Sequence, residues 1–567
     1  MERKQFFRQA WAALTAPQIR VTDEEPNPWL NRELPPGGRS RSGLEAYSGS
    51  WTFAEAAHLL RRTTFGPRMD EIENAVRAGL PATLDQLLAP KPLPDPPVNP
   101  SFTNDPAVPI GSTWVYVSRD PNVNGYRRRS LEVWWTGQML NDGISLTEMM
   151  TLFWHNHFVT ELGTVLDAHA MYQYLDLLRR HALGNWQRLT EDMTLNPAML
   201  EYLNGNQNTG DAPNENYARE LLELFTIGKG PLIGPGDYTW FTEQDIQAAA
   251  RILTGWRSRY PQQAPFEPAA YFTASRHDMT AKQFSPAFQN RLITTTGDQA
   301  YKELISMIFD QEETARFLCR KLYRWFVYYV IDETAEELVI NPMADLLRDH
   351  NYDIIPALRA LLSSAHFYDM VNQGCIIKNP LVFILGAARQ LEVVFPADPN
   401  PGRRYVMWGY LLEQAATQQM APLSPPNVAG WPAYYQAPGF HELWINSVTL
   451  PARTRYTDQL IGAGYTRNGF TLKIDPLPLL AQYITDPNDP WVLVETFARL
   501  MLPQPLVPEQ ITFLRDTLLP GIPDYEWGME YGAYLANPQD DNLRMSVLIK
   551  LQALFKTLMN LAEYHLC

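Results

Sequence analysis

SLTEMMTLFWHNHF, residues 145–158, has the pattern of one amphipathic helix. Leu146, Met149, Met150, Phe153, Trp154 and His157 recur at the i, i+3, i+4, i+7 spacing of a single helical face. At about 100° per residue, His157 falls at the centre of that apolar stripe. His155 points nearly opposite, alongside Glu148, Leu152 and Val159. The same period extends in both directions along the chain. It marks helices over 128–141, 145–160, 165–181, 185–193, 215–228 and 242–256, and again over 297–310, 312–331, 335–349, 354–363 and 379–392. Upstream, Thr52 followed by Glu55 forms a capping box opening a helix at TFAEAAHLLRRTTFG, and a second helix is expected over 69–89.

Between these blocks the sequence changes character. Residues 89–111, APKPLPDPPVNPSFTNDPAVPIG, hold too much proline for helix or sheet and are expected to cross the surface. Segments 257–296 and 395–450 are aromatic and irregular, and the tail 451–567 returns to helices with a proline-rich break at 484–508. No sustained strand alternation and no fixed repeat is visible. The expected fold is therefore all-α, a large bundle-like assembly of many helices with long irregular loops rich in proline and aromatics. Its expected divisions are an N-terminal arm (1–50), N-terminal helices with the proline-rich crossing (51–127), a main helical core (128–450) and a C-terminal helical region (451–567).

Composition narrows the function classes. A chain of 567 residues exceeds one ordinary core, and 45% apolar with 12% aromatic content supplies a large interior. The formal charge of −15 argues against nonspecific attraction to nucleic acid or to an anionic membrane. Cys319, Cys375 and Cys567 are widely separated, without a C-x-x-C pair, and are expected as free thiols. No apolar run approaches the roughly 18 residues of a membrane span. The N-terminus, MERKQFFRQAWAALTAP, loosely resembles a twin-arginine export signal in Arg3-Lys4 and Phe6-Phe7. Its apolar stretch is short and runs into acidic sequence, so a retained basic amphipathic helix and a cytoplasmic location are the expectation, with export as the alternative.

Three polar groups are candidates for chemistry. His155 and His157 stand two positions apart, so on an intact helix they cannot grip one ion; an H-x-H chelate requires the helix to end before His155. In 213-PNENYARELLELFTIG, Tyr217, Leu221, Leu222, Leu224 and Phe225 form one arc, and Glu215, Asn216, Arg219, Glu220 and Glu223 the other. That second arc fits an exposed ladder of Glu215–Arg219 and Arg219–Glu223 pairs. It equally fits a cleft wall where Glu220 and Glu223 serve as acid/base groups, or bind a cation with an outside histidine. The third group is RHDMTAK, with Arg276, His277, Asp278 and Lys282 in a loop. The loop with Asn204, Asn206, Asn208 and Asp211 lacks calcium-loop spacing. The G-x-S-x-G elbow, H-E-x-x-H, G-x-G-x-x-G and the P-loop are absent.

Eight separated segments, LLRRTTFGP, MTLFWHNHF, NPAMLEYLNG, PNENYARELLELFTIG, ARILTGW, HDMTAK, KNPLVFILGAAR and SPPNVAGWP, resemble the DUF1800 family in order and wording over roughly residues 53–455. This is a large bacterial family defined by sequence, without an established biochemical role. The resemblance implies that the polar segments belong to one design. It also implies a partner, since members are often encoded beside a DUF1501-like, sulfatase-like protein.

Two functional readings follow. In the first, the chain is an enzyme, metal-dependent and an oxidoreductase or a biosynthetic tailoring enzyme. His157, Glu220, Glu223, His277 and Asp278 are then its catalytic candidates. Arg219, Lys282, Asn216, Asn427 and Trp431 contact a substrate, and His155, His157, Glu220 and His277 are the tentative ligands of a divalent or redox metal. In the second, the same residues form a structural polar network in a non-catalytic binding or assembly protein, with aromatic loops 257–275 and 431–440 as partner contacts. The first requires His157, Glu220 and His277 to converge within about 5 Å.

Overall fold

Local sequence sets the first helix. In the computed structural model, which describes residues 40–263, 266–397, 401–431 and 444–567, Thr52 and Glu55 close the expected capping box on Phe53–Thr63. The Thr52 N–H donates to the Glu55 carboxylate at 2.9 Å. The segment expected as one helix over 69–89 is two, Met69–Ala78 and Leu80–Leu87, because Gly79 between them adopts φ +83°. The decisive stretch folds as expected: Thr147–His157 is α-helical and buried along its whole length. It lies against Ala168–Arg180.

Helices dominate, as anticipated for an all-α chain, and among the described residues the strands form only two-stranded antiparallel sheets such as Trp256–Arg259 with Ala269–Phe272. The crossing 89–111 contains neither helix nor extended sheet. Asn99 organises it, its amide donating to the carbonyls of Phe102 and Val108 at 2.8 Å each. Residues 42–567 form one compact unit. Among the described residues no helix is long and apolar enough to cross a membrane. The three cysteines are free thiols. The N-terminal amphipathic helix, and most of the 431–440 loop including Pro432, lie outside the described residues.

One segment differs from expectation in a way that matters for packing. Within 395–450, expected to be irregular, Pro401–Thr417 is a 17-residue helix burying Tyr405, Trp408, Leu411, Leu412 and Ala415. Gly402 and Gly409 argue against a helix on propensity alone. Tertiary contact overrides that preference, because the helix packs closely on Asn124–Leu140. At the crossing, a Cβ on Gly137 would stand 2.5 Å from the Trp408 ring.

The core is pinned by buried ion pairs. Arg179, on Ala168–Arg180, donates to the Glu148 carboxylate at 2.5 and 3.1 Å, and the Trp135 indole N–H donates to the same carboxylate at 2.9 Å. Arg127 and Asp105 form a second pair at 2.9 Å with side chains only 3% and 4% exposed. In both, a bidentate guanidinium offsets the desolvation of the acid it faces.

Candidate functional site

The expected convergence of His157, Glu220 and His277 does not form. The His157 ring touches Phe153, Trp154, Phe158, Trp186, Phe225 and Phe317, and neither Glu220 nor His277 is among its partners. Its Nε2 pairs with the Phe225 carbonyl at 2.9 Å. Lys321 Nζ donates to His157 Nδ1 at 3.1 Å and to the Leu224 carbonyl at 2.9 Å. The cause lies in the acidic segment. Expected as one α-helix over 215–228, it is a short α-helix, Asn216–Glu220, continued as the π-helical turn Leu221–Thr226. The last carbonyls of a helix have no partner within it and form the negative end of its dipole. His157 and Lys321 supply the missing donors, so His157 is a helix cap buried in an aromatic shell. Burial, followed by the charge of Lys321, drives its pKa well below the ordinary histidine value.

His155 occupies the other face of its helix, as its position two residues away requires. The Leu423 N–H donates to Nε2 at 3.2 Å, which leaves the ring proton on Nδ1, 2.8 Å from the Tyr174 hydroxyl. Tyr174 in turn donates to the Phe158 carbonyl at 2.6 Å. Burial lowers the His155 pKa to about 3, so the ring is neutral with both nitrogens engaged. The tentative ligand set of His155, His157, Glu220 and His277 is therefore corrected. Among the described residues no group of three or more His, Cys, Asp or Glu side chains is arranged to hold a metal ion.

The remaining candidates divide among three places. Arg219 is already neutralised, donating to Glu243 at 2.7 and 3.2 Å and to Glu215 at 3.1 Å, whereas the expected Arg219–Glu223 pair gives way to Glu223–Lys229. Glu220 is half-buried, and desolvation followed by repulsion from Glu223 raises its pKa to about 7. Asn216 stays local, its amide 3.4 Å from the Leu203 carbonyl. The RHDMTAK loop is fastened to the end of helix Glu243–Ile252. Arg251 donates to Asp278 at 2.6 Å, the Thr254 carbonyl lies 2.9 Å from His277 Nδ1, and buried Lys282 donates to the Asp278 carbonyl. Burial opposes ionisation of Asp278, but Arg251 and Thr280 outweigh it and hold its pKa below the carboxylate range. Asn427 closes its own turn on the Ala429 N–H at 2.8 Å.

Trp431 leads to a different centre. Its N–H donates to Asn156 Oδ1 at 2.8 Å, and its ring meets His155 edge-on at 5.4 Å. Together with Asn156, Trp444, Arg61, Arg62 and Lys378 it lines a cavity of about 80 Å³. Four of the eight quoted segments thus meet here: LLRRTTFGP, MTLFWHNHF, KNPLVFILGAAR and SPPNVAGWP. Gly430, with φ +88°, makes the approach possible, since a Cβ there would sit 2.2 Å from Asn156 Oδ1. Gly430→Ala is expected to cost about 3 kcal/mol, combining positive-φ strain and overpacking. Equilibrium urea unfolding would check it, with wild-type stability counting against this packing.

The cavity wall is cationic. Arg61, Arg62 and Lys378 are only 6%, 4% and 8% exposed. Arg61 donates to the carbonyls of Arg499 and Leu500 at 2.8 and 2.9 Å, Arg62 to that of Asn372 at 2.8 Å, and Lys378 to that of Tyr564 at 2.6 Å. Behind them, fully buried Arg453 donates to the Lys378 carbonyl at 2.7 Å. Among the described residues none of these four pairs with an aspartate or glutamate. Burial pulls Arg61 down to about 10, Arg453 to about 9 and Lys378 to about 7, against an opposing pull from the charge at Cys567. The Nε atoms of Arg61 and Arg62 are buried without any partner. Sequence inspection missed these residues as a site, although the adjacent arginines in a helix with an apolar stripe were a visible signal.

No curated protein and no solved structure matches the chain. A family model described as "Protein of unknown function (DUF1800)" matches residues 58–564, well beyond the segments that carry the resemblance and through the C-terminal helices. The chain belongs to the DUF1800 family.

Proposed function

We propose that the protein binds a small oxyanion, or the phosphate, sulfate or carboxylate group of a larger molecule, in the cavity walled by Arg61, Arg62 and Lys378. The observation that carries this reading is the pair of buried guanidinium Nε atoms without partners, set among cations that face carbonyls instead of carboxylates. Buried charge is costly unless paired, and an anion in the cavity supplies both the charge and the acceptors. The expected metal-dependent oxidoreductase draws no support from His155 and His157, whose ring nitrogens are taken up in holding helices together.

Titration with inorganic phosphate, sulfate and acetate, followed by calorimetry and thermal unfolding, tests the reading. Phosphate at about 100 times its dissociation constant should stabilise the fold by roughly 2.7 kcal/mol. Arg62→Met and Lys378→Met should each remove about 1.5–3 kcal/mol of binding, roughly 10- to 100-fold. The absence of saturable binding by any of the three anions sinks the reading, as does unchanged binding in both variants.

The affinity should also depend on pH. Lys378 binds the anion in its charged form, and its folded pKa of about 7 lies below the ordinary 10.5. Phosphate affinity should therefore fall as pH rises through 7 in the wild type and lose that component in Lys378→Met. In the empty protein the linkage runs the other way. Between pH 7 and 10 the unfolded chain holds the lysine proton that the folded chain releases, so the contribution of Lys378 to stability rises with pH. A second reading, an enzyme acting on an anionic substrate, is favoured by the same amine, which near neutrality can give or accept a proton.

A further inference from the structure

A larger groove of about 550 Å³ lies between helices Asn124–Leu140 and Pro401–Thr417, flanked by the proline-rich crossing and the hairpin of Tyr465–Arg467 with Phe470–Leu472. The geometry points to this groove as a binding site for a neutral saccharide chain, independent of the cationic cavity. Two aromatic stacks line it. Phe102 lies on Tyr126 with ring centroids 3.4 Å apart and planes 20° from parallel, and Tyr410 lies on Tyr465 at 3.9 Å and 11°. A parallel stack uses one face of each ring; Tyr410 is buried, whereas Phe102 and Tyr465 are partly exposed and Tyr126 is open to the groove. Tyr126 is 55% exposed although it belongs to a helix whose other aromatics, Trp134 and Trp135, are buried.

The polar groups of the groove contrast with those of the cavity. Arg127 is matched by Asp105 and Arg129 by Glu413, each at 2.9 Å, and the third arginine of the lining, Arg467, is exposed, where solvent and salt screen its charge. Such a wall does not select an anion. It offers the planar Arg129 and Glu413 groups and the Ser101 hydroxyl beside flat apolar faces. A sugar ring has that same division, an apolar C–H face with hydroxyls around its rim. The volume falls within the roughly 300–1,000 Å³ usual for ligand sites. Gly409 keeps the floor low, its nearest side-chain neighbours being Val133 Cγ2 at 3.7 Å and Arg129 Nη2 at 4.0 Å from an added Cβ.

The test uses the full chain with cellohexaose, maltohexaose and chitohexaose as probes, read by calorimetry and by saturation-transfer NMR on the sugar protons. At least one hexasaccharide should bind saturably, without competition from phosphate. Tyr126→Ala and Tyr465→Ala should each weaken that binding by about tenfold, while the thermal midpoint stays close to wild type for exposed Tyr126. The inference is overturned if no hexasaccharide saturates, if binding survives in the double variant, or if a proline decapeptide occupies the groove in their place.

Discussion

His157→Ala should lose about 3–5 kcal/mol of folding stability, the sum of a cavity in an aromatic shell and two buried hydrogen bonds removed. Those bonds run to the Phe225 carbonyl at 2.9 Å, which loses its donor, and from Lys321 at 3.1 Å, which keeps the Leu224 carbonyl. A catalytic histidine would show the opposite pattern, loss of activity with little loss of stability. His157→Gln, whose amide both donates and accepts, should recover part of the loss. Urea unfolding of the two variants decides the matter, and an alanine variant as stable as wild type would remove the capping account. The ring also sets an acid limit on the fold. His58, His155, His157, His169, His277, His366 and His565 all have pKa values lowered by burial. Below about pH 6.5 the unfolded chain binds protons that these buried rings refuse, so stability should fall from there downward, ahead of the carboxylates.

Glu148→Ala is the second large expected effect, at about 3–5 kcal/mol, because it strands the Arg179 guanidinium in the core. Both side chains are buried, at 2% exposed for Arg179 and 5% for Glu148, and the carboxylate also holds the Trp135 indole. Replacing both partners with methionine should cost much less than the single change, since no uncompensated charge then remains. A double-mutant cycle on unfolding free energies measures this. Additive single effects would mean that the pair contributes nothing beyond its separate burial. The pair fastens Thr147–His157 to Ala168–Arg180, and that helix in turn fixes Asn156, the contact for Trp431 at the cavity wall.

Short-range signals in the chain were reliable where one face of a helix had to be apolar. The stripe through Leu146, Met149, Phe153 and His157 predicted both the helix and the burial of His157, and the two-residue offset predicted that His155 would take the opposite face. The capping box at Thr52 was legible for the same reason, since both of its hydrogen bonds close within one turn. Propensity failed at Pro401–Thr417, where burial of one face against Asn124–Leu140 overrides Gly402 and Gly409. It failed also at Leu221–Thr226, where the choice of a π-helical turn frees carbonyls for Lys321 and His157, residues distant in the chain.

The acidic arc shows why candidate sites were harder to place than helices. Glu215, Arg219 and Glu223 had two consistent readings from spacing, and a third residue, Glu243, settled the matter for Arg219 by taking its guanidinium. The cation-lined cavity could not be read locally at all. Arg61, Arg62 and Lys378 look like ordinary surface charges in a linear sequence, and only assembly deprives them of water without giving them a carboxylate.

By itself, then, the amino-acid order determined the helical class, most helix positions, the opposed histidines and the family. These depend on periodicity and on hydrogen bonds spanning a few residues. Tertiary structure alone decided which polar groups meet, because a buried donor or charge takes its partner from whatever the fold brings to within about 3 Å. That selection made His157 a cap, left Glu220 out of its contacts, and gathered three cations from two distant segments of the chain around one cavity.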